Sequence, residues 1–162
     1  MLAHLDDVGR VVQATLWLHP LSMPHCGMGS AGEPSGEDRR GGHVNGSPAT
    51  VLIVDDNEDV RDFLRLLFHI EGFLVIGEAC DGIEAAIIAS ELAPDLVVMD
   101  HLMPRRSGDK TAAVIRATVP TAQILAYSAV LENKPEWADG FVPKGRIAQL
   151  LPAARKVLAV SS

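Results

Sequence analysis

From residue 49 onward, short runs of uninterrupted apolar residues alternate with stretches of helical period. Thr50-Val51-Leu52-Ile53-Val54, Leu74-Val75-Ile76 and Leu96-Val97-Val98-Met99 are apolar at nearly every position rather than at every second one. Strands of that kind are buried on both faces, as in a parallel α/β sheet. Between the first two runs, Val60, Phe63, Leu64, Leu67 and Ile70 mark one helical face. Arg61, Asp62, Arg65 and Glu71 lie largely opposite, and Gly72 ends the helix. A second helix is predicted over 83–92, stopped by Pro94, and a third over 110–117. Strand four is predicted over 123–127 and a short fifth over 140–143. Pro143 lacks a backbone N–H, so the fifth strand should lie at an edge or end there. Ile147, Leu150, Leu151, Ala154, Val157 and Leu158 trace a last amphipathic helix. Strands alternating with helices in this way predict one doubly wound sheet.

Composition changes near residue 48. From Pro20 to Pro48 the chain is dominated by Gly, Pro, Ser and His and has no apolar period, so residues 1–48 are expected to be a disordered N-terminal extension and 49–162 the folded domain. Leu2, Leu5, Val8, Val12 and Leu16 fall three to four apart, which fits a short amphipathic helix able to dock on a partner. A frayed tail, or a start of translation assumed too far upstream, is favoured, because isolated helices of that length are marginal in water.

Charge and cysteine usage narrow the function. A net charge of −7, with no basic cluster beyond Arg39-Arg40 and Arg105-Arg106, argues against a nucleic-acid surface. Cys26 and Cys80 give no disulfide framework. No apolar stretch approaches a membrane span, and the acidic N-terminus lacks a secretory pattern, so a cytoplasmic protein is expected.

Chemistry enters at the ends of the apolar runs. The first ends in Asp55-Asp56 and the third in Asp100. Parallel sheets bind ligands at the carboxyl ends of their strands. Three carboxylates meeting there repel one another unless a cation sits among them. A magnesium site with one aspartate left as nucleophile is the reading. Taken singly, Asp55 or Asp56 would cap a helix, Lys144 would be a solvated charge, Ser128 a turn residue and Phe141 core. A pair of aspartates plus a third ending another strand is hard to explain as caps.

With these residues in place the chain resembles the receiver domain of two-component response regulators, of the chemotaxis type. The match rests on Asp55-Asp56, Asp100-x-x-Met103-Pro104-x-x-x-Gly108, Ser128-Ala129 and Phe141-x-x-Lys144, and covers about residues 49–160. The resemblance implies a flavodoxin-like, five-stranded parallel sheet in the order 2-1-3-4-5. It implies Asp100 as phosphoacceptor, with a sensor histidine kinase or histidine phosphotransfer protein as donor. Asp55, Asp56, Asp100 and the backbone carbonyl of Leu102 match the Mg²⁺ ligands, Lys144 the clamp on the phosphate, and Ser128 the hydroxyl donor. Ser128 and Phe141 match the switch pair. His101 falls at a variable position facing the pocket mouth and is expected to be exposed.

The chain departs from the pattern in two places. Gly145 follows Lys144 where the family usually has proline, which should leave the lysine less rigidly aimed, with Pro143 just before it compensating in part. The stretch between Ser128 and Phe141 is short and contains Pro135, so helix four should be stunted or absent. The resulting expectation is a stand-alone receiver, not an enzyme, signalling through contacts with a downstream protein that the sequence does not identify. The alternatives are a pseudo-receiver that binds without phosphotransfer, and a fragment of a DNA-binding regulator lacking its output domain. A phosphatase of the aspartate-nucleophile class does not fit, because it needs Asp-x-Asp after the first strand and the chain has adjacent Asp55-Asp56.

Overall fold

A computed structural model describes residues 43–44 and 47–160 of the 162-residue chain. Strands β1 (Thr50–Val54), β2 (Leu74–Ala79), β3 (Leu96–Met99), β4 (Gln123–Ser128) and β5 (Gly140–Pro143) form one sheet. Its order is β2-β1-β3-β4-β5 and every pairing is parallel. The flavodoxin-like α/β arrangement and the edge position of Pro143 are as the sequence implied. A two-residue antiparallel ladder, His43–Val44 against Ser47–Pro48, precedes β1. The spaced apolar residues over 2–18 lie outside the described residues.

Strand alternation divides the core in two. Val51, Ile53, Leu96, Val98 and Leu125 pack on one face with Leu64 and Phe68 of helix α1 (Glu58–Ile70), and with Leu150, Ala154 and Val157 of helix α4 (Leu150–Ala159). Leu52, Val54, Val97, Met99 and Ala126 pack on the other face with Ala85 and Ala89 of helix α2 (Gly82–Leu92), and with Ala112 and Ile115 of helix α3 (Gly108–Thr118). Residues 129–139, between β4 and β5, contain no helix, as their shortness predicts.

One charged residue departs from the helical pattern. Arg61, placed by periodicity on the solvent side of α1, is only 3% exposed. Its guanidinium donates to the Asp55 carbonyl (2.7 Å), and its Nε lies 3.5 Å from Glu78 on β2. A long side chain can leave its helical face for a buried acceptor, which residue spacing does not reveal.

Helix α2 ends in a strained residue. Ala93 has φ 45°, in the left-handed region that penalises a Cβ by roughly 1–2 kcal/mol, while its N–H still bonds to Ala89. Ala93→Gly removes that strain at some cost in unfolded-state entropy. Urea unfolding should show a net gain of about 0.5–1 kcal/mol.

Candidate functional site

Parallel register carries the functional residues to one end of the sheet. Val54 pairs with Met99, so Asp55 and Asp100 emerge side by side from β1 and β3. Ser128 pairs with Pro143, which places Lys144 one residue beyond the end of β5. Carboxylate oxygens of Asp55, Asp56 and Asp100 lie within 4.8 Å of one another. Asp55 is buried and Asp56 exposed. Neither aspartate caps α1: Asn57 does, accepting from the N–H groups of Asp59 and Val60. The capping explanation therefore falls, and the pair is left for other work.

Lys144 lies between the strands. Its Nζ is 2.6 Å from Asp55 and 2.7 Å from Asp100. Burial lowers the ammonium pKa, but hydrogen bonds to Asp100 and Asp55 outweigh it and hold the group above its ordinary value. Burial also raises Asp55, despite the opposing bonds from Lys144 and the Asn57 N–H. Raised values give these groups opposite effects on stability. The folded state holds the Asp55 proton more tightly, so its penalty is absent at low pH and grows as pH rises through the carboxylate range. The Lys144 contribution is present at neutral pH and is lost only above its unfolded pKa, at alkaline pH. Asp55→Asn should therefore unfold at a higher temperature than the wild type at pH 7 without metal. The difference should shrink towards pH 4 in calorimetric scans, and an equal difference at both pH values would contradict the assignment.

Asp100 is oriented by its own loop. Its Oδ1 accepts from the His101 N–H (2.5 Å) and more distantly from that of Leu102 (3.4 Å). The loop closes where the Gly108 N–H reaches the His101 carbonyl, at 2.9 Å. A Cβ on Gly108 would stand 2.8 Å from the Asp100 carbonyl, which is why glycine opens α3. Ser128 is fully buried at the end of β4. Phe141 is half-buried and packs with the α2–α3 core.

Two expectations need correction. His101 is half-buried rather than exposed: its imidazole stacks on Trp137 at 6.0 Å between ring centroids, with Nδ1 buried. Lys144 is not loosened by Gly145 on its backbone side. Its N–H bonds to the Ser128 carbonyl (3.1 Å), and its own carbonyl accepts from the Tyr127 hydroxyl (3.3 Å). Burial raises the Tyr127 pKa, which keeps that donor protonated.

Sequence reasoning missed Arg61, Tyr127 and Trp137. Each is brought to the site by tertiary packing and belongs to no local motif. A second cluster, Cys80, Asp81 and Glu84, has its groups engaged with one another and with their neighbours. Glu84 accepts from the Cys80 N–H and thiol, and Asp81 caps α2 and pairs with Arg105.

An acidic site of this kind suits a hard divalent cation that keeps part of its water shell. Asp55, Asp56 and Asp100 supply the charge, and the buried, raised Asp55 is the group such an ion would relieve most.

Comparison with known proteins places this geometry. A family model described as the response regulator receiver domain matches residues 51–143. The transcriptional regulatory protein PdtaR of Mycobacterium tuberculosis is 40% identical over 120 residues, covering 70% of this chain and 58% of that protein. This chain therefore corresponds to somewhat over half of that relative's length. A LuxR-family two-component response regulator from Aurantimonas superposes with TM-score 0.64 at 32% identity, over 70% of this chain and 87% of that one. The CheX-CheY-BeF3-Mg complex from Borrelia burgdorferi superposes with TM-score 0.60 at 29% identity, over 72% and 92%. No helix among the described residues is long and apolar enough to cross a membrane.

Proposed function

The chain belongs to the response regulator receiver family, and from that membership we propose that it accepts a phosphoryl group on Asp100 and signals by altered protein contacts. One observation carries the reading most: Lys144 bridges Asp55 and Asp100 at 2.6 and 2.7 Å, at the carboxyl end of a parallel sheet. A cation held between a buried acid and a nucleophilic one is where a transferred phosphoryl group needs countercharge.

In the proposed reaction an Asp100 carboxylate oxygen attacks the phosphorus of a phosphohistidine on a kinase or phosphotransfer protein. The new P–O bond forms as the P–N bond breaks, and the imidazole nitrogen takes the electron pair and then a proton. Lys144 neutralises charge on the incoming phosphoryl oxygens, and the Ser128 hydroxyl donates to one of them. Phe141 follows Ser128 as the switch. Magnesium, when bound by Asp55, Asp56, Asp100 and the Leu102 carbonyl, supplies charge compensation between nucleophile and phosphate. The module is not itself an enzyme on this reading, and it works in the cytoplasm with a histidine-bearing donor and a downstream protein.

Two features support rival readings of the output. The absence of a helix between β4 and β5 departs from the receiver pattern, which favours a pseudo-receiver. The 58% share of PdtaR favours a piece of a longer regulator. Intact mass after incubation with Mg²⁺ and acetyl phosphate tests the chemistry directly. One added phosphate is expected. A folded, Mg²⁺-bound protein that never gains phosphate and does not bind beryllofluoride would establish the pseudo-receiver instead.

A further inference from the structure

The loop from His101 to Ser107 carries the Leu102 carbonyl and is braced in a way the phosphotransfer chemistry does not require. Its tip residue, Arg105, has φ 62°, in the left-handed region. Among the described residues only Arg105 and Ala93 adopt positive φ without being glycine. For a residue with a Cβ that basin is disfavoured by about tenfold or more, so something outside the residue must hold it there.

Asp81 is what holds it. The Arg105 guanidinium forms an ion pair with Asp81, whose side chain is 3% exposed. Asp81 is itself fixed: its Oδ1 accepts from the N–H groups of Ile83 (2.8 Å) and Glu84 (3.1 Å) as the cap of α2. Arg105 is itself the central residue of a tight turn, with the Arg106 N–H 2.6 Å from the Pro104 carbonyl, and the ion pair fixes the side chain that this turn carries. A Cβ on Gly82 would stand 2.6 Å from the Arg106 carbonyl, so the loop lies directly on the start of α2. A buried anchor on one element and a strained residue on the next make a latch.

We propose that Arg105 is a positioning residue for the metal site: its ion pair with Asp81 holds the left-handed turn, which sets the path of the loop carrying the Leu102 carbonyl. The inference rests on the magnesium reading above. Strain of this kind persists only where the surroundings over-determine it, and it gathers at functional loops. The charge of Arg105 matters only through the backbone conformation that its ion pair holds, and this gives the role a distinctive signature. Arg105→Ala loses the pair but keeps the Cβ penalty, so the turn should relax. Arg105→Gly loses the pair and the penalty together, so the turn should survive. Asp81→Asn keeps an oxygen to cap α2 but loses the charge partner.

The test uses the full chain and two readouts, MgCl2 titration by calorimetry and amide exchange of residues 101–107 without metal. Arg105→Ala and Asp81→Asn should weaken Mg²⁺ binding fivefold or more and speed exchange in the loop. Arg105→Gly should stay within about twofold of the wild type in both. Unchanged exchange and affinity in Arg105→Ala, or Arg105→Gly as weak as Arg105→Ala, would overturn the proposal. If the wild type bound no Mg²⁺ at millimolar concentration, the metal reading would fail on its own. The exchange pattern would still decide the latch, because it is read without metal.

Discussion

Asp100→Asn should fold normally and gain no phosphate from acetyl phosphate in Mg²⁺, while the wild type gains one. The loss should be complete rather than partial, because a carboxamide offers no anionic oxygen to attack phosphorus. The fold has little reason to suffer. An asparagine side chain keeps the oxygen that accepts from the His101 N–H at 2.5 Å. Lys144 retains Asp55, at 2.6 Å, as its partner. Removing one of two adjacent buried acids also relieves repulsion, since the Asp100 charge helps raise Asp55. Thermal unfolding at pH 7 should therefore show the variant at or above the wild-type midpoint. Phosphate incorporated at the wild-type level, located on any other residue by peptide mapping, would remove Asp100 as acceptor. A variant that failed to fold would contradict the local account of the site.

How much of this was legible in the sequence depended on whether a feature is periodic or tertiary. Strands such as Leu96–Met99, apolar at every position and buried at every position, announce themselves. Their carboxyl ends then bring Asp55 and Asp100 together by parallel register alone. The gap left between β4 and β5 was legible from length and Pro135. Contacts that cross between elements were not. The stack of His101 on Trp137 joins residues thirty-six positions apart, and no spacing rule connects them. Nor does the sequence around Lys144 reveal that Tyr127, on the neighbouring strand, holds its carbonyl. Gly145 suggested a loose lysine because glycine is permissive, but the restraint comes from the adjacent strand.

Arg61 is the sharpest case, and its replacement should have the largest effect on stability. The helical wheel puts it with Asp62 and Arg65 on the wet face of α1, yet its side chain is 4% exposed. It satisfies the Asp55 carbonyl at 2.7 Å and faces Glu78, whose side chain is itself only 17% exposed. Arg61→Ala removes the donor to that carbonyl, one of the two cations beside Glu78 and the buried stem that packs there, which together cost about 3–5 kcal/mol. Arg61→Ala should accordingly lower the unfolding midpoint by roughly 10–20 °C for a domain of this size. Arg61→Met separates the contributions, because it restores most of the apolar stem but not the donor. Arg65 still lies 3.6 Å from Glu78, so that carboxylate keeps one cation. The methionine variant should then recover more than half of the loss, with the remainder reporting the orphaned Asp55 carbonyl at about 1–3 kcal/mol. Equal midpoints for Arg61→Ala and the wild type in thermal scans would show that neither the packing of the arginine nor its polar contacts support the fold. A methionine variant as weak as alanine would place the whole effect in the hydrogen bond beneath Asp55, and so tie the stability of α1 directly to the acidic site.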